Sequence, residues 1–164
     1  MTEDLRIRMK FKPKRLFQMR VAGIAFRDGH VLVHRATHEK FWSFPGGRAE
    51  MGEETKETLA REMVEELGVE ATVGRLLWVV ENFFEYNNIK HHEIGFYYQM
   101  EISDLENQDD FIVTEDETEL LFHWEEIDKI NPGSIYPEVI TKDLLLNTSS
   151  IQHITQNFKN LNVI

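Results

Sequence analysis

The chain has 164 residues, 41% of them apolar, with a formal net charge of −11 and no cysteine. That length suits one domain, residues 1–164, with room for a full core. The missing cysteine excludes disulfides, thiolate metal sites and a cysteine nucleophile. No apolar stretch approaches a membrane span and the first residues lack a signal-peptide core, so a cytoplasmic protein is expected.

The first twenty residues carry seven Lys or Arg and two acids, a net of +5, against −16 for the remainder. Arg6, Arg8, Lys10 and Lys12 alternate with Leu5, Ile7, Met9 and Phe11. Residues 1–17 therefore read as a basic arm or edge strand, whose charge discourages edge-to-edge aggregation. The acidic body argues against general nucleic-acid affinity, and it would repel a phosphate substrate unless cations intervene. Residues 18–26 and 31–35 are β-rich runs joined by Asp28-Gly29, a strong hairpin signal. Beyond the Gly46-Gly47 loop, residues 55–67 lack Gly and Pro and abound in helix formers, and Gly68 stands where a left-handed residue ends a helix. Residues 69–84, interrupted by Gly74, read as a strand, residues 86–88 as a turn and 93–102 as a second long strand. The acidic segment 106–119 reads mostly as loop, despite the apolar island Phe111-Ile112-Val113. Residues 120–124 suggest a further strand, 125–130 a short helix start, and 136–146 a helix with Pro137 in its first turn. Residues 147–164 form a C-terminal extension with an amphipathic piece around Ile151, Ile154 and Phe158. Strands bracketing a central helix, with another helix near the end, indicate an α/β sandwich with a mixed sheet.

The chemistry concentrates between Gly47 and Val69, GRAEMGEETKETLAREMVEELGV. On a helical wheel Leu59, Ala60, Met63, Val64 and Leu67 spread over one side, while Glu62, Glu65 and Glu66 gather on another arc. Like charges three and four residues apart destabilise a helix, so this patch calls for a compensating cation. Hard oxygen ligands suit Mg²⁺ or Mn²⁺ better than zinc. The paired glycines before the helix let the backbone pass close to phosphates, at a helix beginning whose free N–H groups favour anions.

Gly47, Glu53, Arg61-Glu62, aliphatic Met63, Glu65-Glu66, Gly68 and Val69 fill every fixed position of the Nudix box. The chain thus resembles the Nudix (MutT-like) hydrolases, which cleave nucleoside diphosphates linked to another moiety. The resemblance implies the Nudix-type α/β/α sandwich over roughly residues 18–146, and a small-molecule nucleotide substrate. It implies that Glu53 and Arg61 pair to brace the loop, and that Glu62, Glu65 and Glu66, with Gly47, hold Mg²⁺ or Mn²⁺. Family members often recruit one more carboxylate from a loop outside the box, and Glu119 is the candidate here, with Glu117 and Asp116 nearby. Gly46, Gly47 and Arg35 are candidate phosphate contacts, and Phe83 and Tyr86 are candidates for stacking on a base. A homodimer is an expectation from the resemblance alone.

In the family the chain resembles, residues outside the box choose the substrate. ADP-ribose-type members carry a proline some fifteen residues beyond the box, where residues 81–85 have none. Dinucleoside-polyphosphate members carry a tyrosine slightly further on, near the place of Tyr86. The alternative is a non-catalytic nucleotide sensor with the same fold, but sensors typically lose box carboxylates and this chain keeps them all. The isoprenoid-diphosphate isomerases of the same fold need a cysteine, which is absent.

Overall fold

The computed structural model describes residues 3–105 and 109–161. Strand β1 (Arg8–Phe11) runs antiparallel to the start of β2 (Arg15–Arg27) and is largely exposed. In β2 the run 21–25 is buried throughout, as a strand covered on both faces requires of a continuous apolar stretch. Asp28 and Gly29 both take positive φ, 45° and 77°, and turn the chain into β3 (His30–Ala36). Two short strands follow, β4 (Trp42–Ser43) and β5 (Gly46–Arg48), and then α1 (Thr55–Leu67), which stops at Gly68 with φ 65°. Long strands β6 (Thr72–Tyr86) and β7 (Ile89–Glu101) form a hairpin through Asn87 and Asn88, both at positive φ. The rest comprises β8 (Phe111–Glu115), β9 (Thr118–Glu126), β10 (Ile135–Tyr136), α2 (Lys142–Leu146) and β11 (Gln152–Asn160).

The central path of the sheet is β10-β4-β3-β2-β7-β6-β11, with β1 and β5 on β2, β9 on β3 and β8 on β9. Pairs β2–β7, β6–β11 and β4–β10 are parallel, whereas β2–β3, β3–β9 and β6–β7 are antiparallel. The sheet is thus mixed, in an α/β sandwich. On one face Leu59 and Met63 of α1 pack on Val21, Leu32, Tyr98 and Phe122. On the other, Ile140 and Leu145 pack with Ala22, Val33, Trp78 and Tyr97. The successive pairs 21/22, 32/33 and 97/98 fall into opposite clusters because side chains alternate along a strand.

Four expected elements differ. The segment expected as loop contains β8, paired with β9 across Asp116-Glu117, and residues 106–108 of it lie outside the described residues. Its apolar island alternates, Phe111 and Val113 half-buried and Ile112 exposed, which is strand periodicity. The helix expected over 136–146 is only Lys142–Leu146. Ile135 and Tyr136 are held as a strand by Trp42 and Ser43, and Thr141 caps the helix by accepting from Leu144 N–H. Residues 152–160 of the C-terminal stretch are a strand, in parallel register with β6 from Gln152–Trp78 onward, and 125–130 holds only a single 3₁₀ turn, Ile127–Lys129.

Candidate active site

The site is built where β5 passes beneath α1. β5 lies antiparallel to β2, with Arg20 opposite Arg48, Val21 opposite Gly47 and Ala22 opposite Gly46. A Cβ on Gly46 would stand 2.0 Å from Val21 O, and one on Gly47 would stand 2.1 Å from the Glu62 carboxyl carbon. The second glycine is therefore the space into which Glu62 reaches. Ala49, fully buried, anchors the end of the strand, and a loop carrying Glu53 leads to α1. There Glu54 N–H donates to Glu57 Oε2 at 2.9 Å, which occupies a donor left open by the helix start.

Arg61 ties loop to helix. Its guanidinium donates from Nε to Glu53 Oε1 at 2.7 Å and from Nη2 to Glu53 Oε2 at 3.1 Å, a bidentate pair. It also donates from Nη1 to Glu62 at 3.1 Å and Glu65 at 3.0 Å, and from Nη2 to the Arg48 carbonyl at 3.2 Å. Thr58 Oγ1 donates to the same Glu53 at 2.9 Å. Glu53 is held below the usual carboxylate range, chiefly by Arg61. A planar fork in this setting fixes geometry as well as charge.

Glu62 and Glu66, four residues apart on the buried face of α1, converge with Glu115 from the end of β8. One carboxylate oxygen from each lies within 4.8 Å of the others. Burial pushes Glu66 up to about 8, with Arg20 opposing and Glu115 and Glu62 adding to the rise. Burial likewise raises Glu62, against the pull of Arg61, and Glu115, where Asp116 and Glu65 add to it. Among the described residues Glu66 Oε2 is buried without a hydrogen-bond partner. Nearby His34 Nδ1 is 4.0 Å from it and also unpartnered. Burial holds that imidazole down at about 3, so it is neutral and the approach is no ion pair. An unpartnered buried carboxylate oxygen in an all-carboxylate group is costly without a cation. The donor set fits a hard divalent ion such as Mg²⁺ or Mn²⁺.

These carboxylates open into a cavity of about 570 Å³ that also receives Arg20, Gly46, Gly47 and Arg48. A second cavity, about 260 Å³, shares Arg20 and Arg48 with it and is walled by Phe41, Phe44, Phe84, Tyr86 and Tyr136. Within it Phe41 meets Tyr86 and Tyr136 edge-on, centroids 6.2 and 5.3 Å apart. Its floor is polar: buried Glu93 accepts from Gln18 and from Asn82 Nδ2, the latter at 3.4 Å.

The candidates read from the sequence distribute unevenly over this geometry. Glu53, Arg61, Glu62, Glu66, Gly46 and Gly47 come together. Glu65 lies at the rim of the larger cavity, half-exposed and bound to Arg61. Glu119 is exposed on β9, in the alternate set opposite Leu120 and Phe122, and lies outside the carboxylate group. Arg35 stacks on Trp42 at 4.9 Å and donates to the Thr37 and Glu39 carbonyls, and it lines neither cavity. Phe83 stacks on His92 at 4.4 Å outside both cavities, whereas Tyr86 lines the aromatic one. Glu115, Arg20 and Arg48 join the site without a motif to mark them. Alternation in Phe111-Ile112-Val113-Thr114-Glu115 places Glu115 beside Phe111 and Val113, and that was the available signal. Arg20 and Arg48 announce themselves only by register, facing one another across β2 and β5.

The family model of the NUDIX domain matches residues 16–143, which include these glycines, Arg61 and the glutamates. The chain belongs to the NUDIX domain family. This NUDIX chain is 39% identical over 85 residues to diphosphoinositol polyphosphate phosphohydrolase 2 of Rattus norvegicus, covering 45% of the chain and 48% of the relative. It is 43% identical over 58 residues to the CTP pyrophosphohydrolase of Escherichia coli K12, covering 33% and 43%. The chain thus matches less than half the length of these curated NUDIX relatives. Among solved structures, a UDP-X diphosphatase superimposes with TM-score 0.60 at 24% identity, over 84% of this chain and 66% of that one. An ADP-ribose pyrophosphatase from Streptococcus suis gives 0.55 at 14%, over 84% and 98%. These likenesses establish the NUDIX fold. No helix among the described residues is long and apolar enough to cross a membrane.

Proposed function

We propose that this chain is a pyrophosphohydrolase that uses Mg²⁺ or Mn²⁺ to cleave the anhydride of a nucleoside diphosphate linked to another moiety. The observation that carries this reading is the convergence of Glu62, Glu66 and Glu115 around a buried, unpartnered carboxylate oxygen, beside a glycine strand braced by Arg61. Relatives named for cleaving CTP and diphosphoinositol polyphosphates lend support.

Glu62, Glu66 and Glu115 would hold the divalent ion, which would supply charge neutralisation at phosphate and a more acidic water. The chain's own residues supply the frame. Gly47 leaves the Glu62 carboxylate against the backbone. Arg61 keeps Glu53, Glu62 and Glu65 in register, so that little rearrangement is needed when substrate arrives. Arg20, whose Nη2 donates to the Phe44 carbonyl at 2.9 Å, faces both cavities and suits a phosphate between them. The aromatic cavity receives a flat group such as a base.

Steady-state assays with Mg²⁺ on ADP-ribose, nucleoside triphosphates, dinucleoside polyphosphates and diphosphoinositol polyphosphates test the reading. Glu66→Gln and Glu115→Gln are each expected to lower kcat by roughly 100-fold or more, with the circular dichroism of the folded chain retained. Wild-type turnover in either variant removes the assignment of that carboxylate.

A further inference from the structure

The basic residues near the N-terminus do not scatter over the surface. Arg8, Lys10, Lys14 and Arg15 surround a cavity of about 460 Å³ together with Arg48, and no acid lines it among the described residues. In a chain with 29 acids against 18 bases, five cations on one concavity without a carboxylate is a costly grouping. Arg8 is paired with Asp4 at 2.6 Å, but among the described residues no carboxylate lies within ion-pair distance of Lys10, Lys14, Arg15 or Arg48. Protection of an exposed sheet edge accounts for charge on β1. It does not account for Arg48, which is half-buried on β5 and directly opposite Arg20 on β2. Its guanidinium is burdened by burial and then by Arg8, Arg20 and Arg6, with Glu93 opposing, and it donates from Nε to Gln18 Oε1 at 2.8 Å.

Position gives the grouping its meaning. Arg48 lines the carboxylate cavity, the aromatic cavity and the basic cavity alike, and Tyr86 and His91 line both of the last two. The three spaces are contiguous around one arginine. We propose that the basic cavity is a second anion subsite, which takes a phosphate of the substrate lying beyond the anhydride that is cut. The preferred substrate class is then a nucleotide carrying an additional phosphate or a longer polyphosphate chain. This inference rests on the pyrophosphohydrolase reading and extends it. Cations of this kind in water contribute modestly one at a time, so the subsite acts through their number and through Arg48, the partly desolvated member.

Matched substrates isolate the effect: ADP-ribose against its 2′-phosphate, and diadenosine triphosphate against the hexaphosphate. The wild-type chain should favour the more phosphorylated member of each pair by about tenfold in kcat/KM, expressed in KM. Lys10→Gln and Arg15→Gln should each lower that preference about threefold, and the double variant about tenfold. Equal treatment of the pairs by the wild-type chain, or a preference that survives the double variant, overturns the proposal. Calorimetric titration with tripolyphosphate in EDTA separates the subsite from turnover. Binding that weakens in 0.3 M salt and disappears in the double variant supports it even if no substrate is cut, in which case only the hydrolase reading fails. No binding, or binding indifferent to Lys10 and Arg15, refutes it. Tighter binding of a 5′-triphosphorylated RNA than of any small polyphosphate assigns the surface to nucleic acid instead.

Discussion

At the scale of single residues, the two adjacent glycines make different demands and so predict different failures. Gly46 has φ 153°, and a Cβ there meets the backbone of Val21 and Ala22 on the neighbouring strand. Backbone cannot yield cheaply, so Gly46→Ala combines conformational strain with a clash, at least about 2 kcal/mol. For a chain of this size that is roughly 4–8 °C in Tm. A Cβ on Gly47 instead meets the carboxyl end of Glu62 at 2.1–2.3 Å, and a side-chain end can swing aside. Gly47→Ala should therefore leave the Tm of the metal-free protein within a few degrees while abolishing the rise in Tm that Mg²⁺ produces. Thermal denaturation of both variants with and without Mg²⁺ checks this, and a Gly47→Ala protein still stabilised by Mg²⁺ refutes the role given to that glycine.

At the scale of elements, legibility in the sequence follows the turns. Asp28-Gly29 and Asn87-Asn88 are residues that tolerate positive φ, and the hairpin at the first and the turn at the second were readable. Helix α1 was readable to both ends because propensity and the terminal Gly68 agree, and in the structure the Glu54–Glu57 pair closes its start. The β8–β9 hairpin closes through Asp116 and Glu117 at φ 43° and 66°, and glutamate in that conformation gives no turn signal. Missing this hairpin meant missing Glu115, since only the pairing of β8 with β9 carries that carboxylate to α1. Likewise β10 and β11 exist through parallel pairing with β4 and β6, a long-range contact that local periodicity does not contain. The unfavourable turn yields a prediction. A left-handed L-residue costs about 1–2 kcal/mol, partly offset by the chain entropy of glycine. Glu117→Gly should accordingly stabilise the protein by roughly 0.5–1 kcal/mol, read as a higher urea midpoint at unchanged slope. A lower midpoint would mean that the Glu117 side chain contributes something the turn geometry does not reveal.

For the molecule as a whole, the buried carboxylates couple stability, pH and metal. Glu66 is pushed up to about 8 in the metal-free fold, whereas a free glutamate titrates near 4.3. Between those values the folded chain holds a proton that the unfolded chain has lost, so this group's contribution is fully present below about 4.3 and is lost as pH rises through 8. Glu62 and Glu115, raised in the same direction, add to the loss. His34 acts oppositely at lower pH. Held down at about 3 against about 6.5 when unfolded, it makes the fold gain stability as pH rises through that window. Metal-free stability should therefore peak near the middle of the acid range and decline toward pH 8. A divalent ion at the three carboxylates must displace the Glu66 proton, so its stabilising effect grows as that proton becomes easier to remove. The rise in Tm given by millimolar Mg²⁺ should accordingly be larger at pH 8.5 than at pH 6.5, and calorimetry should detect proton release of up to about one per ion at the lower pH. In Glu66→Gln both the alkaline decline and the proton release should shrink. A Mg²⁺ effect of the same size at both pH values, with no proton released, would show that the ion binds somewhere other than this carboxylate group.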